Sequence, residues 1–71
     1  MSADKLVYMA NQIATFFETQ PGADGAGKVA AHILDFWEPR MRAELIGLVD
    51  AGEAGLKPLA LDAIALVRAK A

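Results

Sequence analysis

The stretch Phe36-Trp37-Glu38-Pro39-Arg40-Met41-Arg42 decides how the chain is read, because it sets the only tryptophan beside a proline and two arginines. A proline has no amide hydrogen to donate and clashes in a helix interior, yet its fixed φ suits the first helical turn. Pro39 therefore ends one helix and opens the next. Its ring also pushes Glu38 away from the α region. The expected result is a sharp corner between two helices. Trp37 lies on the last turn going in, Met41 on the first turn coming out, and Arg40 and Arg42 are displayed at an exposed vertex.

Working outward, the helix before the corner spans about 26–37, with Val29, Ile33, Phe36 and Trp37 as its apolar stripe. The helix after it starts at Pro39, carries Met41, Leu45, Leu48 and Val49 at the same spacing, and ends near Gly52, a natural C′ residue. Each also places an aliphatic residue off its stripe, Leu34 and Ile46, and an arc that wide suggests burial on two sides.

Toward the N-terminus, Ser2 is a reasonable N-cap and Asp4 sits favourably in the first turn. Leu6, Met9, Ala10, Ile13, Phe16 and Phe17 then recur at helical spacing, with Asp4, Asn11, Gln12, Thr15 and Glu18 on the other side. This amphipathic helix ends near Gln20. Tyr8 falls on its polar side, either as a half-exposed surface ring or as a contact to another chain. Three glycines and a proline make 21–27 a connector. Its glycines followed by Lys28 do not make a phosphate cradle. That motif needs a preceding strand, a longer glycine spacing and a serine or threonine after the lysine.

Toward the C-terminus, 52–57 is a second connector, and Pro58 opens a last helix running through about Arg68. Its apolar residues Leu59, Leu61, Ile64, Leu66 and Val67 do not share one stripe. Either this is the central helix of a bundle or it docks onto another protein. The small core available to surround it favours docking.

The fold class expected is all-α: a single helical domain over 1–71, a small bundle of about four short helices completed by docking on a larger partner. A chain of 71 residues buries a limited fraction of its surface and usually needs a disulfide, a metal or a partner as a staple. The absence of cysteine removes disulfides, thiolate zinc and iron–sulfur ligation together. A partner remains, which fits a hydrophobic content of 55%. The formal net charge of −2 gives no pull toward nucleic acid or anionic lipid. The start lacks the basic region and apolar run of a secretory signal, and no apolar run is long enough to span a bilayer, so a cytoplasmic protein is expected.

An enzyme needs a nucleophile, a tuned acid–base pair, a metal or a cofactor site. The only serine is Ser2 and the only histidine is His32. His32 and Asp35, one helical turn apart, are two ligands without a third. A boundary histidine that bonds locally or touches a partner is the better reading. Trp37, Arg40 and Arg42 are residue types enriched at interface hot spots. The two arginines could equally be solvated, helped by Glu38 and Glu44 at helical spacing. A DNA-reading helix is disfavoured by Glu44, Asp50 and Glu53 on the same helix and its exit.

These residues carry a resemblance. Asp4-Lys5-Leu6, Met9-Ala10-Asn11-Gln12-Ile13, Phe16-Phe17, His32-Ile33, the corner itself and Gly55-Leu56-Lys57-Pro58-Leu59 together resemble the delta subunit of cytoplasmic NAD-dependent, molybdenum-containing formate dehydrogenase. The tryptophan-acid-proline-arginine-methionine run is the most specific part. The resemblance implies a non-catalytic subunit of a complex that oxidises formate to carbon dioxide and reduces NAD. It also implies that pterin molybdenum, iron–sulfur clusters and flavin belong to larger subunits, with no catalytic, cofactor or metal residue in this chain.

The expected partner is the large catalytic subunit of formate dehydrogenase, with support of its stability or its cofactor maturation as the role. Neither nucleic acid nor membrane is expected to bind. The contacts expected are Trp37, Pro39, Arg40, Met41 and Arg42 at the corner, and Leu56, Leu59, Leu61 and Leu66 toward the C-terminus. A free-standing helical adaptor or regulatory domain that self-associates through the same surface is the alternative.

Overall fold

Each helix begins where a capping side chain or a proline stands. In the computed structural model, which describes residues 2–52 and 55–70, α1 (Ala3–Glu18) is capped by Ser2. The Ser2 hydroxyl accepts from the Lys5 amide at 3.3 Å. The helix stops two residues before the expected end. The Thr19 and Gln20 backbone N–H groups turn to the Phe16 and Phe17 carbonyls respectively, and the Thr19 hydroxyl donates to the Phe16 carbonyl at 2.7 Å.

The connector is shorter than its glycine content suggests, because α2 (Gly25–Phe36) already begins inside it. Asp24 is the N-cap, in the left-handed region at φ 65°, which aspartate tolerates better than most residues. Its carboxylate accepts from the Gly27 amide at 3.1 Å. A Cβ at Gly27 would lie 2.3 Å from that carboxylate, so the missing side chain is what lets the cap close.

The backbone of the corner has the predicted form. Trp37 is the C-cap of α2, Glu38 is extended at φ −66°, ψ 150°, and Pro39 opens α3 (Pro39–Asp50). Gly52, at φ 73°, follows the Ala51 cap as the C′ residue. Of the connector expected at 52–57, residues 53 and 54 lie outside the described residues. α4 (Pro58–Lys70) starts at its proline and runs two residues past the expected end.

The fold is an all-α bundle. α2 and α4 form its most extensive pairing, and α1 and α3 pack on that pair and on each other. The core is aliphatic and rich in alanine. Leu6, Val29, Ile33, Leu45, Ile64 and Val67 are its largest fully buried side chains, and Ala10, Ala14, Ala30, Ala60 and Ala63 lie between them. Small residues at helix contacts allow a close approach.

The one aromatic in this core is Trp37, 5% exposed. Phe16 and Phe36, which the periodicity puts on buried stripes, are exposed instead. For Phe16 the reason is where the stripe of α1 is centred. The buried face is Leu6, Ala10 and Ala14. At 100° per residue this lies roughly 60° around the helix from the centre of the large-residue stripe. Alanine adds little to a hydrophobic pattern, yet it decides which face can come closest to a neighbour.

α4 is central to the bundle. It packs on all three other helices through Ala60, Ala63, Ile64 and Val67, and leaves Leu61 and Leu66 exposed. No helix among the described residues is long and apolar enough to cross a membrane.

Candidate functional site

The rotation of α1 creates the site. With alanines turned inward, Met9, Ile13 and Phe17 are half-buried, and Tyr8, Gln12 and Phe16 line a groove against α2. The opposite wall is His32 and Phe36 on α2. Trp37 shows its small remaining surface there, and Met41 of α3 closes one end. Tyr8, Phe16 and Phe36 are 64, 57 and 74% exposed. Scattered surface aromatics are ordinary; large apolar residues around one concavity mark an interaction surface.

The groove is built from aromatic pairs. The Phe16 and Phe17 rings meet edge to face with centroids 5.1 Å apart. The His32 imidazole lies over Phe36 at 4.7 Å, tilted by 37°. No carboxylate, ammonium or guanidinium lines it. Asp35 sits beyond this groove, lining a second, smaller-sided cleft between α2 and α4 with Ala31, Leu34, Leu66 and Lys70. His32 and Asp35 therefore open onto different surfaces rather than onto one site. Among the described residues no group of three or more histidine, cysteine, aspartate or glutamate side chains is placed to hold a metal.

The residues expected to make the interface are divided by the structure. Trp37 lies in the chain's own core, and Leu56 is also buried. Arg42 is half-buried and turned back on α2, where its guanidinium donates to the Trp37 carbonyl at 2.7 Å and reaches the Leu34 carbonyl at 3.5 Å. It thereby satisfies carbonyls that the helix end leaves open, rather than standing at the vertex. Pro39 and Arg40 are exposed, and Met41 is half-buried at the groove's end. Leu59 is half-buried, with its methyl groups where a side chain at Gly25 would touch them. Leu61 and Leu66 remain exposed on α4.

Tyr8, Phe16 and Phe36, the most exposed large apolar residues, are absent from that expected interface. The signal for Tyr8 was legible as an aromatic on a polar helix face. For Phe16 and Phe36 it was not, because their spacing matches a core stripe.

A second feature concerns the polar face of α1. Asn11 donates to the Gly55 carbonyl at 3.0 Å and accepts from the Lys57 amide at 2.9 Å. The Lys57 ammonium extends to the Thr15 hydroxyl at 2.9 Å and the Glu18 carboxylate at 2.6 Å. Asn11, Thr15 and Glu18 thus hold the segment that leads into α4.

The geometry therefore gives an uncharged aromatic groove on one face of α1 and a polar clasp on another. No curated protein and no solved structure matches the chain. The sequence model of the NADH-dependent formate dehydrogenase delta subunit, FdsD, matches residues 5–64, a span that takes in nearly all of α1, the groove, the corner and the first half of α4, and the chain belongs to that family.

Proposed function

We propose that this chain is a non-catalytic accessory subunit of a cytoplasmic formate dehydrogenase complex. It packs on the large molybdenum-carrying subunit and supports that subunit's stability or its maturation with cofactor. The observation that carries the reading is the aromatic groove, present on a chain whose family is a subunit of formate dehydrogenase. A delta subunit has partner subunits, and three exposed aromatic rings around an uncharged concavity supply the apolar anchors that stable interfaces use.

The chemistry of the donor set supports a role outside catalysis. A pterin molybdenum centre, iron–sulfur clusters and a flavin belong, on this reading, to the larger subunits. This chain has no cysteine for thiolate ligation, and its single histidine sits among aromatic rings. These residues do not fit such a site.

The test is to purify the complex through a tag on the large subunit, from cells with and without this chain. The expected result is stoichiometric co-purification, with lower molybdenum content or a lower melting temperature of the large subunit when the chain is missing. Activity per bound molybdenum should be unchanged. A chain that never co-purifies, or whose loss lowers turnover per molybdenum, would sink the proposal.

A further inference from the structure

The groove also constrains what fills it. Resting on the accessory-subunit reading, we infer that it receives a single helix of about two turns from the partner subunit, apolar and uncharged on the face it buries. The length follows from α1: the wall from Tyr8 to Phe17 rises about 13 Å at 1.5 Å per residue, which matches eight or nine residues of a parallel or antiparallel helix.

The secondary structure of the occupant follows from its backbone. Both walls are helices whose main-chain groups are bonded internally, so there is no sheet edge to pair with an extended segment. Buried there, a strand would have little beyond the Tyr8, Gln12 and His32 side chains to satisfy its N–H and C=O groups, and orphaned backbone groups are costly. A helix brings its own hydrogen bonds. The charge follows from the lining, since an ionised side chain placed against it would be buried without a counter-ion.

A second copy of this chain is a poorer occupant. Phenylalanine and tyrosine carry about 150–250 Å² of buriable surface each, so the exposed fractions of Tyr8, Phe16 and Phe36 amount to about 400 Å². The three rings alone, set face to face with the same rings of a second copy, would bury about 800 Å² in total, short of the roughly 1,000 Å² a specific interface needs. A larger subunit can continue beyond the groove and make up the difference.

The chain's own methionines provide the probe. Of its three, Met9 and Met41 line the groove. The chain is labelled with photo-methionine, assembled with the unlabelled complex and irradiated, and adducts from positions 9 and 41 are mapped by mass spectrometry. The expected adducts fall in one partner segment, at uncharged residues three or four apart over about two turns. Adducts at alternating residues, adducts to a second copy of this chain, or none from a chain that still co-purifies would overturn the inference while leaving the accessory role intact. A chain that does not co-purify removes that role and the inference with it.

Discussion

Asn11 and Lys57 lie 46 residues apart in sequence and are joined by a 2.9 Å hydrogen bond from the Lys57 backbone N–H to the Asn11 side-chain carbonyl. The same amide donates its NH₂ to the Gly55 carbonyl at 3.0 Å. One asparagine therefore meets a donor and an acceptor two residues apart, as a neighbouring strand would. The segment it holds delivers Leu56 into the core and starts α4. Asn11→Ala removes both bonds and leaves a half-buried amide without its partner. The expected loss is about 1–3 kcal/mol, or a fall in melting temperature of roughly 4–24 °C for a domain of this size. Asn11→Asp should keep the bond to Lys57 and lose the one to Gly55, giving an intermediate melt by circular dichroism. Equal melting of wild type and Asn11→Ala would show that the clasp contributes nothing.

The Trp37–Arg42 relationship separates folding from docking at the corner. The Arg42 guanidinium bonds the Trp37 carbonyl at 2.7 Å within this chain, so Arg42→Ala should destabilise the isolated protein by about 1–2 kcal/mol. Trp37→Ala should cost about 3–5 kcal/mol, a large share of the stability of so small a fold. Loss of the Trp37 variant from a complex would therefore report unfolding, whereas Arg40→Ala, at an exposed position, reports docking. Arg42→Ala with an unchanged melt would return that arginine to the surface.

Acid sensitivity should come partly from the α3–α4 contact. Arg68 holds Asp50 at 2.6 and 3.2 Å, and that hydrogen bonding, with the guanidinium charge, keeps the Asp50 carboxyl below the ordinary carboxylate range. The folded state thus binds its proton less readily than the unfolded chain. The stabilisation is present above about pH 4, the ordinary aspartate range, and is lost as pH falls through it toward the lower folded value. The pair is exposed and screened, so its effect is small. Asp50→Asn should flatten the acid limb of a stability–pH curve and lose that flattening in an Arg68→Ala background. A wild-type acid limb in Asp50→Asn would remove this pair from the account.

The fold was legible in the sequence where a single residue dictates backbone geometry. Pro39 and Pro58 open helices, Glu38 is extended and Gly52 takes positive φ, all for local steric reasons that need no tertiary information. The face each helix buries was less legible, because it depends on which side can approach most closely. In α1 that side carries Ala10 and Ala14 rather than Phe16. The family resemblance could be read from the corner, but the groove could not. It arises only when the rotation of α1 sets its aromatics beside Phe36 of α2, and two half-stripes that each look like core become one surface. Asn11 was hidden for the same reason. A polar residue on a polar face looks solvated until a connector more than forty residues away lies across it.

The groove and α4 make competing claims to be the docking face, and exposed residues can decide between them without disturbing the fold. Phe36 is 74% exposed, so Phe36→Ala should change the melt of the isolated chain by no more than about 0.5 kcal/mol. If Phe36 is an anchor, the same change should weaken retention in the formate dehydrogenase complex by about 30-fold, the equivalent of the roughly 2 kcal/mol that defines a hot spot. Tyr8→Ala should behave alike. Leu61→Ser with Leu66→Ser, each 42% exposed on α4, is the matched comparison. Retention after the α4 pair but loss after Phe36→Ala, measured as subunit stoichiometry on gel filtration at decreasing concentration, assigns docking to the groove. The reverse pattern assigns it to α4, whose outer leucines would then be the anchors while the aromatics stay solvated.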